Sequence, residues 1–150
     1  MSNSAKVELL TAVYSLLSTD AQLLNSGINP QTGASRTVAI YNQVTPNAVM
    51  PYVRITLTDA ITLTDETFDY ASPTVQTISL AVDTFSDYEK ECFTIADRLE
   101  VLLNNVPFTS AHYQGYTWHR GSTFFADNQT TPDKVIRRGN MRMRANVEPL

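Results

Sequence analysis

The chain has little of what catalysis and cross-linking require. Its 150 residues include one cysteine, two histidines and five glycines. A lone cysteine, Cys92, cannot form a disulfide within the chain, so the fold makes no use of an oxidising compartment. No apolar run approaches the roughly 20 residues that a membrane helix needs. Residues 1–17 also lack the basic start and apolar core of a signal peptide. We therefore predict a protein made in a cytoplasm, with no membrane partner.

Motifs for catalysis, cofactor binding and metal binding are also missing. The sequence contains no G-x-S-x-G, no Walker loop and no G-x-G-x-x-G. His112 and His119 fall on a predicted strand at a spacing that sends them to opposite faces, and neither has a cysteine or carboxylate at metal-ligand spacing. Cys92 lies on the apolar stripe of a predicted helix, which is typical of a buried structural thiol. We predict no catalytic residue, no cofactor and no metal, and hence no enzyme.

The composition indicates one folded domain over residues 1–150. Apolar residues make up 43% of the chain and charged residues 17%, enough apolar material for a sizeable core. The net charge is −4, but it is unevenly distributed. Residues 1–119 carry five basic and twelve acidic side chains, a net −7, whereas residues 120–150 carry six basic and three acidic, a net +3. An acidic body with a basic end favours head-to-tail association of copies; the alternative is an ordinary scatter of solvated charges.

Hydrophobic periodicity predicts the order helix, strand, strand, strand, helix, strand, strand. One amphipathic helix is expected over residues 4–18, followed by a short turn at 21–24. The apolar stripe expected to face inward on this helix consists of Val7, Leu10, Val13, Tyr14 and Leu17. The other helix begins at a capping box, Ser86 to Glu89, and runs to about Asn104. Strands are expected over residues 37–42, 52–63, 75–84, 112–125 (with a bulge at Gly115) and 134–147.

These elements predict an α+β fold, a mostly antiparallel sheet of about five strands with two amphipathic helices packed on one face. Alternating apolar residues make the segment at about 52–84 a long β-hairpin. The Asn-, Ser-, Gly- and Pro-rich segment at about 25–36 is predicted to be a flexible loop.

The tip of the predicted hairpin combines acidic and aromatic residues. Such a mixture is typical of a protein contact, and the alternative is a solvated loop tip. It is not an EF-hand, because the glycine and the closing glutamate are missing. We predict a contact with another subunit or a partner protein there, formed by Asp65, Glu66, Phe68, Asp69 and Tyr70.

A row of basic residues lies along the last predicted strand. Arg138, Arg142 and Arg144 share one parity, so their side chains should lie on one face. They could meet phosphates in a pore or acids on a partner; the alternative is a charged face that keeps the protein soluble. We favour the pore or partner because the arginines are concentrated and unbalanced by nearby acids. A sequence-specific DNA reader is not expected, because no helix carries a row of basic residues.

The layout as a whole resembles the bacteriophage tail completion family, which includes tail terminators and tail-to-head joining proteins of long-tailed phages. An N-terminal helix, a short strand, a Pro-Tyr-Val strand opening, a return strand and a second helix carry the resemblance. In this chain they read VELLTAVYSLLSTDAQL, TVAIYNQV, MPYVRI (residues 50–55), VQTISLAVDTFS and EKECFTIADRLEVLLNN.

The resemblance implies a structural virion protein of the neck between tail and head. Such a subunit forms a homo-oligomeric ring, commonly a hexamer, that caps the tail tube and joins it to the head connector. Its partners would be its own copies, the tail tube protein, the connector protein and non-specific DNA passing through the lumen. The alternatives are a head-side neck adaptor and a small nucleic-acid-binding module that uses the arginine row.

Overall fold

The computed structural model describes residues 4–42, 48–63, 75–119, 129–131 and 134–150. Two long helices, α1 (Ala5–Thr19) and α3 (Glu89–Leu103), flank the central hairpin in the chain. A one-turn helix, α2 (Ala21–Leu24), follows α1 directly. Asp20 caps it, because its carboxylate accepts the backbone N–H of Leu23 at 2.7 Å.

Nine strands are present in the described residues, two of them only two residues long. They are β1 (Gly27–Ile28), β2 (Ser35–Arg36), β3 (Ala39–Tyr41), β4 (Tyr52–Leu63), β5 (Val75–Ser86), β6 (Val106–Thr109), β7 (Tyr113–His119), β8 (Gln129–Thr131) and β9 (Lys134–Pro149).

Six strands form a curled sheet in the order β3-β4-β5-β9-β7-β6, and β8 extends it beside the start of β9. Only the β3–β4 pair is parallel among the described strands. The β4–β5 pair is the predicted hairpin, with a β-bulge between Leu57 and Asp59. Strand β9 pairs with β5 along most of its length and with β7 along its second half. The predicted α+β class is confirmed.

The core lies between the helices and one face of the sheet. Alternate residues of β5 and β9 stand opposite one another on this face, for example Leu80 beside Met143. Helix α3 packs against both strands, and α1 packs against β3 and β4. The largest fully buried apolar side chains are Leu9, Leu17, Leu23, Ile55, Ile78, Leu80, Ile95, Leu99, Leu103, Met141 and Met143.

The buried face of α1 is narrower than its sequence predicts. Ala5, Leu9, Val13 and Leu17 are buried at a strict spacing of four. The expected inward stripe also included Val7 and Tyr14. This part of the prediction is wrong, because Val7 is 61% exposed and Tyr14 is 37% exposed. Leu10 and Leu16 pack against the core beside this line while remaining partly exposed.

The start of α3 also differs from the prediction. The helix begins at Glu89 with Tyr88 as its cap residue, and no side chain caps it. The Oγ of Ser86 instead accepts the backbone N–H of Tyr88 at 2.9 Å and donates to the buried carboxylate of Glu91 at 2.6 Å. The capping box with Glu89 is therefore not formed, and Glu91 takes the serine hydroxyl.

Four short strands, β1, β2, β6 and β8, were missed by sequence reasoning, and one glycine was misinterpreted. The segment expected to be a loop contains the β1–β2 hairpin, and β6 follows α3 immediately. The register of Gly115 with its neighbours on both sides is continuous, so the expected bulge is absent. A Cβ at Gly115 would stand 1.9 Å from the backbone oxygen of Asn146, so close backbone approach explains the glycine.

Candidate functional site: the helix-free face of the sheet

The predicted arginine row lies on the face of the sheet that none of the three described helices covers, here called the outer face. Along β9 the buried residues Met141, Met143 and Ala145 point toward the helices. The residues between them point the other way because strand side chains alternate. Arg138, Arg142 and Arg144 therefore share the outer face, as their parity predicts. Arg142 is exposed, and Arg144 is half-buried.

At one end of this face, the carboxylate of Asp83 collects three donors from the two neighbouring strands. Its Oδ2 accepts from Arg54 at 2.8 Å and from Arg138 at 3.2 Å, and its Oδ1 accepts from Asn140 at 2.6 Å. Cross-strand register produces the cluster, because Arg54, Asp83 and Asn140 are direct neighbours on β4, β5 and β9. Asp83 is 1% exposed, and a carboxylate is stable at such burial only when it is paired and hydrogen-bonded.

The aromatic ring of Phe85 packs against both arginines of this cluster. Phe85 stacks on Tyr52, with ring centroids 4.9 Å apart. The guanidinium carbons of Arg54 and Arg138 lie 5.1 and 5.9 Å from the centre of the Phe85 ring. Each arginine is thus held by one carboxylate oxygen and one ring face. Their side chains nevertheless keep 35% and 30% of their surface exposed.

This geometry changes the interpretation of the arginine row. The expectation that the row is unbalanced by acids is wrong for Arg138, which shares Asp83 with Arg54. Within the described residues, Arg142 and Arg144 have no acidic partner. They stand beside Ala81 and Ser79 of β5, which offer no charge.

Arg54 belongs to the site but was not singled out from the sequence. Its position on the polar parity of β4 is visible from the alternation Val53, Arg54, Ile55. Its partner Asp83 lies on the next strand, and only the hairpin register brings the two together. A search for opposite charges across the predicted hairpin would have found the pair.

The predicted contact at the hairpin tip lies outside the described residues. Asp65, Glu66, Phe68, Asp69 and Tyr70 all fall between β4 and β5 in the segment 64–74. Their role stays a prediction.

A second charged cluster is structural in character. Arg36 of β2 binds Asp87 at 2.9 Å, approaches Glu91 at 3.6 Å and donates to the backbone oxygen of Met50 at 2.7 Å. It also lies over the ring of Tyr88, 5.3 Å from its centre. These contacts tie the segment before β3 to the start of α3. The segment expected to be a flexible loop therefore ends in a half-buried anchor.

Two further side-chain pairs join the helices to the rest of the domain. Arg98 of α3 binds both carboxylate oxygens of Asp20, at 3.2 and 2.8 Å, and these hydrogen bonds lower the pKa of Asp20. Glu8 of α1 accepts the backbone N–H of His112 at 3.1 Å and lies 3.3 Å from its Nδ1. Burial opposes ionisation of Glu8, but hydrogen bonds from Ser110 and His112 outweigh it and lower its pKa.

Groups that could perform chemistry are not assembled in the part of the chain that the structure describes. Cys92 is buried as predicted, and burial raises its pKa to about 11. No three His, Cys, Asp or Glu side chains of these residues could hold a metal ion.

A wide, open cavity of about 610 Å³ lies beside Pro107, Thr109, Gln114 and Glu148. The glutamate there is hydrogen-bonded to Gln114 at 3.0 Å. No helix of the described residues is long and apolar enough to cross a membrane.

Comparison with known proteins gives a structural likeness. No protein-family model matches the chain, and no curated protein matches it. A solved structure does match, described as the virion of a native gene transfer agent particle. The fold is that of a chain in a virion. The two superpose with a TM-score of 0.67 over 98% of this chain and 99% of the other, at 19% identity. An identity this low establishes the shared fold, and the match has no large unmatched segment on either side.

Proposed function

We propose that this chain is a structural subunit of a phage-type virion, located in the neck between tail and head. Copies form a ring, hexameric in the family that the sequence resembles, at the head-proximal end of the tail. The ring caps the tail tube, contacts the head connector, and lets DNA pass through its lumen.

The observation that carries this proposal is the full-length likeness to a chain of a gene transfer agent virion. A likeness confined to one βαβ or hairpin unit would say little, since small motifs recur in unrelated proteins. Here the whole chain is matched in both directions, so the likeness extends over every element, including the long hairpin. The independent resemblance to the tail completion family supports the same class of particle.

The chemistry of the described residues supports a structural role as well. The thiol of Cys92 is buried with a raised pKa, and Glu8 is paired with His112 between two elements of the fold. The charged clusters around Arg36 and Asp83 hold separate elements of the fold together. The helices also expose the apolar side chains of Val7, Phe93 and Val101, which suits contact with neighbouring subunits.

An assembly experiment tests the proposal. Purified chain is added to tails and heads made without it, and joined particles are counted by negative-stain electron microscopy. We expect joining to depend on the added chain and a ring of density at the head-proximal end of the tail. Light scattering of the free chain is recorded alongside. Monomers that also fail to join tails to heads would refute the proposal, whereas monomers that join them would indicate a ring formed only on the tail.

The same images separate the neck positions. Chain bound to isolated tails supports the tail-capping role. Chain bound only to isolated heads would instead support a head-side adaptor.

A further inference from the structure

We infer that the outer face of the sheet is a binding surface for the phosphodiester backbone of duplex DNA, formed by Arg54, Arg138, Arg142 and Arg144. The inference deepens the proposed function by assigning the side of the subunit that meets DNA. It adds Arg54, on a different strand, to the row on β9.

Charge is the first argument. Between the cross-strand neighbours Phe85–Arg138 and Ser79–Arg144, the register of the outer face includes four arginines and two acids, Asp83 and Asp59, of which Asp59 is paired with Ser79. The formal charge of this stretch is +2 in a chain whose net charge is −4. The acidic remainder of the protein would repel DNA, so this face is the part that can approach it.

Preorganisation is the second argument. Arg54 and Arg138 donate to Asp83 through their Nη2 atoms and lie against Phe85. A free arginine loses side-chain entropy when it binds, whereas these two are already ordered. Their remaining exposed surface, about a third of each side chain, faces away from the sheet. One carboxylate shared by two guanidinium groups leaves a net positive charge at the cluster.

The third argument is that the arginines cover the aromatic side chains of this face: Phe85, stacked on Tyr52, is 6% exposed and lies against Arg54 and Arg138. Protein interfaces generally have a desolvated core of aromatic and aliphatic residues, while nucleic-acid interfaces are more polar and more positive. The large exposed apolar side chains of the described residues are Val7, Tyr14, Ile28, Val49, Phe93, Val101 and Leu150. None of them lies on β4, β5 or β9, so phosphate is favoured over an acidic protein.

The length of the surface also fits a phosphate backbone. Six residues separate Arg138 from Arg144 on β9, a distance of about 20 Å at roughly 3.3 Å per residue. Duplex DNA carries roughly twelve phosphate charges over that length, at one per 1.7 Å of axis. Each arginine can therefore reach a phosphate whatever the base sequence, and no base specificity is expected.

The test uses the free full-length chain and a fluorescent DNA duplex, with binding followed by anisotropy as salt increases. If all four arginines meet phosphates, the logarithm of the binding constant should fall against the logarithm of salt with a slope of about −3.6, at −0.9 per contact. Arg142→Gln with Arg144→Gln should reduce that slope to about −1.8, by the same relation. Both residues lie outside the Asp83 cluster, so this double variant should stay folded.

A matched double variant provides the control. Lys6→Gln with Lys90→Gln removes the same charge from exposed positions on α1 and α3. It should leave the slope unchanged. Arg54→Gln should make the slope shallower by about 0.9, since one phosphate contact is lost. If that variant is unfolded by circular dichroism, Arg54→Lys replaces it and should keep the slope while binding more weakly.

Several results would overturn the inference. One is the absence of duplex binding at about 50 mM salt. Another is an equal reduction of the salt slope in the two double variants. A third is tighter binding of polyglutamate than of the duplex, which would indicate an acidic protein partner. Displacement of the duplex by millimolar inorganic phosphate at constant ionic strength would indicate a site for free phosphate. Failure to bind DNA leaves the ring proposal standing, and failure to join heads to tails leaves DNA binding standing.

Discussion

Replacing Asp83 by asparagine tests the organisation of the outer face most sharply. The change keeps the size of the side chain and removes its charge, so it opens no cavity. In the native protein the carboxylate accepts from Arg54, Arg138 and Asn140 at 2.6–3.2 Å while 1% exposed. In Asp83→Asn the two guanidinium groups face each other without an intervening negative charge.

The expected loss of stability follows from the exposure of the partners. Removing one member of a buried ion pair costs roughly 3–5 kcal/mol. Because Arg54 and Arg138 each keep about a third of their surface in water, solvent screens part of the remaining repulsion. We therefore expect a loss at the lower end, about 3 kcal/mol. For a domain of this size it corresponds to a fall in melting temperature of roughly 6–12 °C.

Urea unfolding followed by far-ultraviolet circular dichroism at pH 7 measures the loss. The midpoint should fall and the slope m should stay constant, since the surface exposed on unfolding is unchanged. Asp97→Asn, on the exposed side of α3, removes the same charge and should change the free energy of unfolding by less than about 0.5 kcal/mol. If Asp83→Asn is as stable as that control, Asp83 does not organise the two arginines.

Three further predictions concern the rest of the domain. Cys92 should resist a thiol reagent at pH 8 in the native protein and react fully in denaturant, because it is buried and its pKa is raised to about 11; fast native labelling would contradict this. Gly115→Ala should destabilise the protein by about 1–3 kcal/mol in urea unfolding, since the new Cβ would meet the oxygen of Asn146; a neutral effect would show that the two strands can move apart. Asp20→Asn should lose stability at pH 7, because the Arg98 hydrogen bonds hold the pKa of Asp20 below its ordinary 3.8. That contribution is complete above pH 3.8 and is lost as pH falls through the lower, folded pKa, so the variant and the native protein should converge in acid; a gap that does not narrow would assign the loss to packing.

The strong local signals in the sequence located the main elements. The alternation of residues 52–57 and 78–82 predicted β4 and β5, and the helical spacing around Ile95 and Leu99 predicted α3. These patterns succeed because one face of each element is buried and the other is not. Parity alone also placed Arg138, Arg142 and Arg144 on a common face.

Features that depend on distant partners were not accessible in the same way. Tyr14 follows the helical period but is left uncovered, because the width of the buried stripe is set by the sheet beneath α1. Ser86 carries a capping signal, but a second acid, Glu91, competes for its hydroxyl. Pro107 follows the end of α3 and lies in β6, an edge strand that tolerates proline.

The electrostatic pairs also depend on residues that are distant in the sequence. Asp83 reads as one acid among fifteen in the sequence, and only the register of β4, β5 and β9 surrounds it with donors. The row on β9 was visible from its spacing, whereas its partial neutralisation and the contribution of Arg54 arise from neighbouring strands. Long-range pairing therefore decides which arginines are free for a partner.

Imaging particles that carry this chain tests the central claim most directly. The chain is given a C-terminal affinity tag, assembled into particles, labelled with gold and examined by cryo-electron microscopy. A neck-ring subunit predicts label at the junction of tail and head in joined particles, with ring-shaped density at that level. Label along the tail shaft or on the capsid surface, or particles that join normally and contain no label, would contradict it.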